Sequence, residues 1–420
     1  MQKLIYSIFI QLYVLSARLI APFNEKAALW LKGREGIFSK LENAFSENTS
    51  PVVWVHCASL GEFEQGRPVI EKLRLLYPEH KILLTFFSPS GYEVRKNYEK
   101  ADWIFYLPFD TKKNAKKFLE IVNPSLILFV KYEFWYNYLT LSKQKQIPLL
   151  LISGIFRKDQ PFFKWYGDLH REMLRCFTHL FVQTEEAASL LRSNHINNIS
   201  VSGDTRFDRV SEIAAQFHSI EKVGSFCNGK TVIVAGSTWT EDDEELDHFV
   251  NTHPDMRFII APHDISKDRL QECKSLYRLS VLFSEYDFNS SSPVNTLIID
   301  NIGMLSKLYN YATICYVGGA FGSDGVHNVL EAAVYNKPVV FGPVYEKYVE
   351  AAELIEVGGA FSIANALELE ELFNELLQNE TFYSQASNAA GNYVKNKTGA
   401  TEKIVAYIQA KRLLTSLSKK

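Results

Sequence analysis

From residue 51 onward, short apolar runs alternate with stretches in which apolar residues recur every three or four positions. Runs at 52–57, 82–87, 103–107, 126–130, 149–153, 180–184 and 199–202 are rich in β-branched and aromatic residues and read as strands. They are continuous rather than alternating, the pattern of parallel strands covered on both faces. Segments 62–76, 112–121 and 185–193 between them read as helices. This alternation predicts a doubly wound α/β sheet. A second series, at 231–235, 257–261, 281–283, 296–299, 314–317 and 339–341, predicts another. Residues 211–229 between the series are polar and read as a link, and 289–293 as an exposed loop. After Gly359 the pattern is helical to the end, with 401–414 suited to pack back across the first domain and Lys419 and Lys420 frayed. The expected division is an N-terminal helix at 1–22, a first Rossmann-like domain at 23–209, a linker at 210–229, a second domain at 230–395 and a terminal helix at 396–420. Two such halves leave a cleft, and ligands bind at the carboxyl ends of the strands.

Residues 4–20 break from this pattern. The run is strongly apolar, closed by Pro22, and a little short of the roughly 20 residues that span a bilayer. Lys3, Ser7, Gln11 and Arg18 fall near one helical stripe. No small-residue cleavage site follows, which argues against a secretory signal. Lys26, Lys32, Arg34 and Lys40 lie downstream, the side expected to face the cytoplasm. The segment reads as a membrane-anchoring or interfacial helix with the body of the protein cytoplasmic. An amphipathic helix packed on its own domain has the same pattern.

Composition changes this picture little. A chain of 420 residues is long enough for two or three domains, and its net charge of −3 gives no global basic field for nucleic acid. The five cysteines are scattered and form no C-x-x-C pair, which suits buried thiols in a reducing compartment. The histidines show no metal-binding spacing, and no metal site is expected.

Candidate chemistry clusters at predicted strand ends. The stretch Cys315 to Pro343 reads as strand, glycine-rich turn, helix and strand. Gly318, Gly319, Gly322 and Gly325 crowd the turn, and His327, Asn328 and Glu331 open the helix. A helix N-terminus suits a phosphate and a nearby carboxylate a ribose diol, although a plain tight turn has the same local pattern. Ser59, Gly61 and Glu62 follow the first strand. Glu62 is either a general base or the carboxylate of a Ser59-x-x-Glu62 capping box. Gly236, Ser237 and Thr238 end another strand and can wrap an anion, or cap a helix whose acidic run 241–245 is a solvated first turn. Pro262 and His263 end a third, where His263 is a phosphate or base-edge donor or a packed ring. Gly303, Met304 and Leu305 can floor a pyrimidine. Lys131 and Glu133, among aromatics, sit at the end of the strand 126–130.

In order, HCASLGEFEQGRPVI, FVKYEFWYN, SGDTRFD, VAGSTWTEDDE, APH, DNIGML and VGGAFGSDGVHNVLEAAVYNKPVVFGP resemble the 3-deoxy-D-manno-octulosonic acid (Kdo) transferases, glycosyltransferases that add Kdo to a lipid A precursor. The resemblance spans nearly the whole chain. It implies a GT-B fold, two Rossmann-like domains facing a cleft, with CMP-Kdo held by the C-terminal one. It also implies inverting transfer without metal or cofactor, at the cytoplasmic face of the inner membrane. Glu62 matches the family's general base. Pro262, His263, Gly303, Met304, Leu305, Asn328, Val329, Leu330 and Glu331 match its CMP-contacting segments, and Gly236 and Ser237 a turn near the donor. On the acceptor side the expected residues are Ser59, Gly61, Lys131 and Glu133, with Arg157 and Arg206 for acceptor phosphates.

Three positions depart from the family pattern. His263 stands where Arg is common, Lys131 where the first Glu of E-x-E-L-W-P is common, and Ala332 where Pro often follows the last Glu. The alternatives are another GT-B enzyme, such as a UDP-sugar transferase or nucleotide-sugar 2-epimerase, and a non-catalytic nucleotide- or lipid-binding protein of this fold.

Overall fold

The computed structural model describes residues 2–287 and 293–414. Residues 289–292 of the expected loop and the two terminal lysines lie outside the described residues. The chain divides into two compact units, residues 1–209 with 399–420, and residues 210–398.

The first unit holds seven parallel strands: β1 (Val52–Cys57), β2 (Lys81–Phe86), β3 (Trp103–Tyr106), β4 (Pro124–Val130), β5 (Leu149–Gly154), β6 (His179–Val182) and β7 (Ile199–Val201), in the order β3-β2-β1-β4-β5-β6-β7. All six residues of β1 are buried. Val52 and Trp54 belong to the core on one face, with Phe118 and Leu119 of the helix Lys112–Val122. Val53, Val55 and Cys57 belong to the core on the other, with Val69, Ile70 and Leu73 of the helix Leu60–Leu76. Covering on both faces explains why the strands read as unbroken apolar runs.

The same second face takes Ile404 and Ile408 of the C-terminal helix Ala400–Ala410. The Asp208 carboxylate accepts the Gly399 and Thr401 N–H groups at 2.5 and 2.6 Å, capping that helix.

The second unit holds β8 (Val232–Thr238), β9 (Arg257–Pro262), β10 (Ser280–Leu282), β11 (Thr296–Ile298), β12 (Ile314–Val317), β13 (Val339–Phe341) and β14 (Ala360–Ser362), all parallel, in the order β10-β11-β9-β8-β12-β13-β14. Both sheets are those of a GT-B-type α/β protein.

Three expectations need correction. Residues 210–229, expected as a polar link, carry structure of their own: the helix Thr205–Ala215 runs into them and the helix Glu221–Cys227 buries Val223 and Phe226. The tail after Gly359 is not all helix, since β14 forms the sheet edge first. The acidic run is only in part a solvated turn: Glu241 and Glu244 are exposed, but Asp242 and Asp243 are fully buried.

The N-terminal helix Gln2–Ile20 forms as expected, and with the turn to Phe23 it is long and apolar enough to cross a membrane. One side is tied to the first unit. Gln2 donates to the Tyr166 carbonyl and accepts from Leu169 N–H, Lys3 pairs with Glu172, and Tyr6 donates to Asp110 at 2.6 Å. Leu4, Ile8, Leu12, Leu15, Leu19 and Phe23 stay exposed. Arg34 fixes the next helix, Glu25–Lys32, to the sheet. Its buried guanidinium donates to the Trp30, Phe87 and Leu107 carbonyls at 2.8 Å each and lies over the Trp30, Phe87, Tyr106 and Phe109 rings.

Candidate active site

Strand order reverses between β1 and β4 in the first sheet, and between β8 and β12 in the second. Ligands of open α/β sheets bind where this happens, at the carboxyl ends of the strands. Most of the candidate residues lie at or beside these strand ends; Arg157 and Arg206 follow β5 and β7 instead.

In the first unit β1 ends at Cys57 and the chain turns into the helix Leu60–Leu76, with Ser59 as N-cap. Glu62 Oε2 accepts the Ser59 N–H at 3.1 Å and the Ser59 hydroxyl. The capping reading is therefore correct as far as it goes. Oε1 of the same carboxylate accepts no hydrogen bond from the described residues, so one oxygen holds the helix end and the other is uncommitted.

Across the reversal, β4 leads to Lys131 and Glu133. Glu133 Oε2 accepts the Trp135 indole N–H at 2.7 Å and lies 3.3 Å from His56 Nε2. His56 is fully buried, and its Nδ1 lies 2.9 Å from the Thr85 hydroxyl. Burial, with Glu62 and then Glu133, pushes the Cys57 thiol well up, so both carboxylates act on the end of β1. Lys131 takes a left-handed φ of 69° and sets its ammonium over the Tyr132 ring.

The expected phosphate-binding arginines differ in placement. Arg157 is exposed on the loop after β5. Arg206 is held by Asp204, which accepts its N–H and Nε–H at 2.9 and 2.8 Å. Asp204 in turn meets the Gln65 amide at 3.3 Å, one helical turn from Glu62.

In the second unit the ladder of β8 breaks between Gly236, paired with Ala261, and Thr238, paired with Pro262. Ser237 is the bulged residue, with φ 56°. A bulge at a strand end re-aims its side chain. Gly236 leaves room for Leu305 and the Tyr309 hydroxyl, both of which a Cβ there would strike. Gly318 does the same for the Ser237 carbonyl. Buried Asp242 fixes the two strand ends together. Its carboxylate accepts the Trp239 and Gly319 N–H groups at 2.9 and 2.8 Å and the Tyr316 hydroxyl at 2.8 Å. Asp243 binds Arg269 and accepts the Tyr277 hydroxyl at 2.9 Å. Burial raises the carboxyl of each.

His263 follows β9, its N–H on the Thr238 carbonyl at 2.9 Å. Its ring stacks on Trp239 and on His327. Gly303, with φ 97°, turns the chain into the single helical turn Leu305–Leu308 beside Gly236. The helix expected after the glycine-rich turn is also only one turn, Leu330–Ala333. Its Leu330 N–H is taken by Asn328 Oδ1, and Asn328 Nδ2 donates to Glu331 at 2.9 Å. Val329 and Leu330 are fully buried, so only their backbone is placed to meet a ligand.

Residues 31–209, which include Glu62, match the family model for 3-Deoxy-D-manno-octulosonic-acid transferase (kdotransferase). The Kdo transferase of Aquifex aeolicus is 28% identical over 342 residues, 79% of this chain and 87% of that protein. The chain is a relative of the Kdo transferases. The Kdo transferase of Chlamydia trachomatis serovar A is likewise 28% identical, over 81% of both chains. Among solved structures, UDP-GlcNAc 2-epimerase from Neisseria meningitidis bound to UDP-GlcNAc matches with a TM-score of 0.60 and 17% identity, covering 86% of this chain and all of that one. At such identity this concerns the fold alone.

The sequence alone assigned no role to three residues that build this Kdo-transferase relative's strand ends, His56, Trp135 and Trp239, and placed a fourth, His327, only at the opening of a helix. Each stands inside a quoted motif stretch. Apart from the Trp135–Glu133 bond, their partners lie far away in sequence, so local spacing does not mark them.

Proposed function

We propose that this protein transfers Kdo from CMP-Kdo to a hydroxyl of a lipid A precursor, with inversion and without a metal. Glu62 is the base. Its Oε1 takes the proton of the acceptor hydroxyl as that oxygen attacks the anomeric carbon, and CMP leaves from the opposite face. Negative charge grows on the departing phosphate, where Ser237 and His263 are the donors. Glu331 holds the ribose hydroxyls, and Gly303, Met304 and Leu305 seat the cytosine. Glu133 and Arg206 serve the acceptor.

One observation carries the reading. The Kdo-transferase domain match covers residues 31–209, and inside it Glu62 stands at the carboxyl end of β1 with one oxygen uncommitted. The exposed apolar face of Gln2–Ile20 suits a lipid surface, and its polar ties to residues 166–172 favour a helix lying in the interface. The protein then works at the cytoplasmic face of the inner membrane, where its acceptor is.

Mass spectrometry of lipid products after incubation with CMP-Kdo and tetra-acylated lipid A precursor tests this. The expected result is a mass increase of one or more Kdo units. Absence of product, with CMP still bound, favours a non-catalytic protein. Turnover with a UDP-sugar instead overturns the donor assignment.

A further inference from the structure

Three rings meet where β8, β9 and β12 end, and each is anchored through its own backbone. The Trp239 N–H is held by Asp242, the His263 N–H by the Thr238 carbonyl, and the His327 N–H by the Gly318 carbonyl. The Trp239 indole N–H donates to His327 Nε2 at 3.2 Å. His263 stacks on Trp239 with ring centres 4.7 Å apart at 29°, and on His327 at 4.5 Å and 15°. Two rings joined edge to edge by a hydrogen bond cannot lie on opposite faces of a third. His263 therefore lies across one side of the joined pair, and it is exposed. Gly319, with φ 94°, makes room for His327, because a Cβ there would strike the imidazole.

We infer that Trp239 and His327 are positioning residues: they form a joined platform that holds the His263 ring and leaves His263 as the imidazole that meets the donor's phosphate as a cation. This rests on the donor reading above and adds to it how a histidine does what the common arginine does. The indole N–H occupies the Nε2 lone pair, the atom through which His327 would otherwise gain a proton. Burial and the neighbouring His263 push the His327 imidazole down to about 4, so it stays neutral at working pH. A neutral neighbour does not repel an imidazolium, and an indole face attracts one. The bound phosphate then accepts a charge-assisted hydrogen bond from the His263 imidazolium. The other groups facing this cluster are acidic: Asp264 beside His263, Asp324 near His327, and buried Asp242 under Trp239. Arg269 lies behind, committed to Asp243 and Glu272.

The test is calorimetric titration of the full chain with cytidine 5′-(methyl phosphate), a diester whose single charge does not change between pH 6 and 8. Two buffers of different ionisation enthalpy count the protons taken up. Wild type is expected to bind about tenfold more tightly at pH 6 than at pH 8, with proton uptake at the higher pH. His263→Gln should abolish both effects, and His263→Arg should bind without pH dependence. Trp239→Phe and His327→Phe should weaken binding severalfold in the wild-type background and change nothing further in the His263→Gln background. Equal losses in both backgrounds would overturn the positioning role. Binding to wild type without pH dependence would overturn the cationic role of His263. Failure of wild type to bind the diester at all would overturn the donor reading itself.

Discussion

In the proposed reaction Glu62 does two jobs on one carboxylate, and two substitutions separate them. Glu62→Gln keeps an oxygen that can accept the Ser59 N–H, now at 3.1 Å, and the Ser59 hydroxyl. The helix Leu60–Leu76 should stay capped, and stability should change by less than about 0.5 kcal/mol. An amide cannot take a proton at neutral pH. Turnover of CMP-Kdo should then fall about 10²–10⁴-fold, the usual worth of a positioned base, or about 3–5 kcal/mol of barrier. Glu62→Ala loses the base and the cap together. It should show the same loss of turnover and, in addition, about 1 kcal/mol of destabilisation, seen as a fall in Tm of about 2–4 °C for a unit of this size. The assays are initial rates by product mass spectrometry and thermal melting followed by circular dichroism. Glu62→Gln turning over within a few-fold of wild type would refute the base. Glu62→Ala melting at the wild-type temperature would refute the cap.

Replacing the buried Arg34 by Met leaves the Trp30, Phe87 and Leu107 carbonyls without their donor and should cost about 3 kcal/mol or more, read from urea denaturation. Burial raises the Asp110 carboxyl to about 6, against donors from Tyr6, Asn137 and Tyr138. The folded state therefore binds more protons than the unfolded one between about pH 4 and 6, and this group's contribution is full below pH 4 and lost as pH rises through 6. A stability–pH profile should lose that falling slope, about 3 kcal/mol at most, in Asp110→Asn. Truncation after residue 398 removes Ile404 and Ile408 from the first unit's core and should destabilise it by about 3–6 kcal/mol, measured by limited proteolysis and melting.

Both sheets were legible in the sequence because parallel strands covered on two faces leave continuous apolar runs, and thirteen of those runs coincide with β1 to β13. β14 was not legible: Ala360–Ser362 is three residues long, directly after Gly358 and Gly359. The helix Glu221–Cys227 was hidden because only Val223, Phe226 and Cys227 of it are buried in a polar stretch. Candidate site residues could be picked out where one residue's type carries the proposed chemistry, as at Glu62 and His263. They could not be where the chemistry is made by a partner far along the chain. Asp242 reads as one acid among five until Gly319 and Tyr316 are seen on it. His327 reads as part of a turn until Trp239 is found on its Nε2.

Backbone strain gives a separate line to the same places. Among the described residues, nine other than glycine take a positive φ. Asn123 and Asn228 are helix C-caps, and Gln146, His195, Asn336 and Arg412 follow the last turns of helices, where a left-handed residue is ordinary termination chemistry. Lys131, Ser153 and Ser237 have no such explanation. They sit at the carboxyl ends of β4, β5 and β8, each at a cost of about 1–2 kcal/mol. Lys131 and Ser237 stand at the two reversals of strand order. Strain of this kind persists where surrounding contacts over-determine the backbone. At Ser237 those contacts are visible: the bulge in β8, the Gly318 backbone against its carbonyl, and the Asp242 carboxylate joining the next residue to Gly319. A regular strand end would turn the Ser237 hydroxyl by one register and give up the bulge. Strain at two switch points, one in each compact unit, is what a fold retains when the direction of a few polar groups matters more than the last increment of stability.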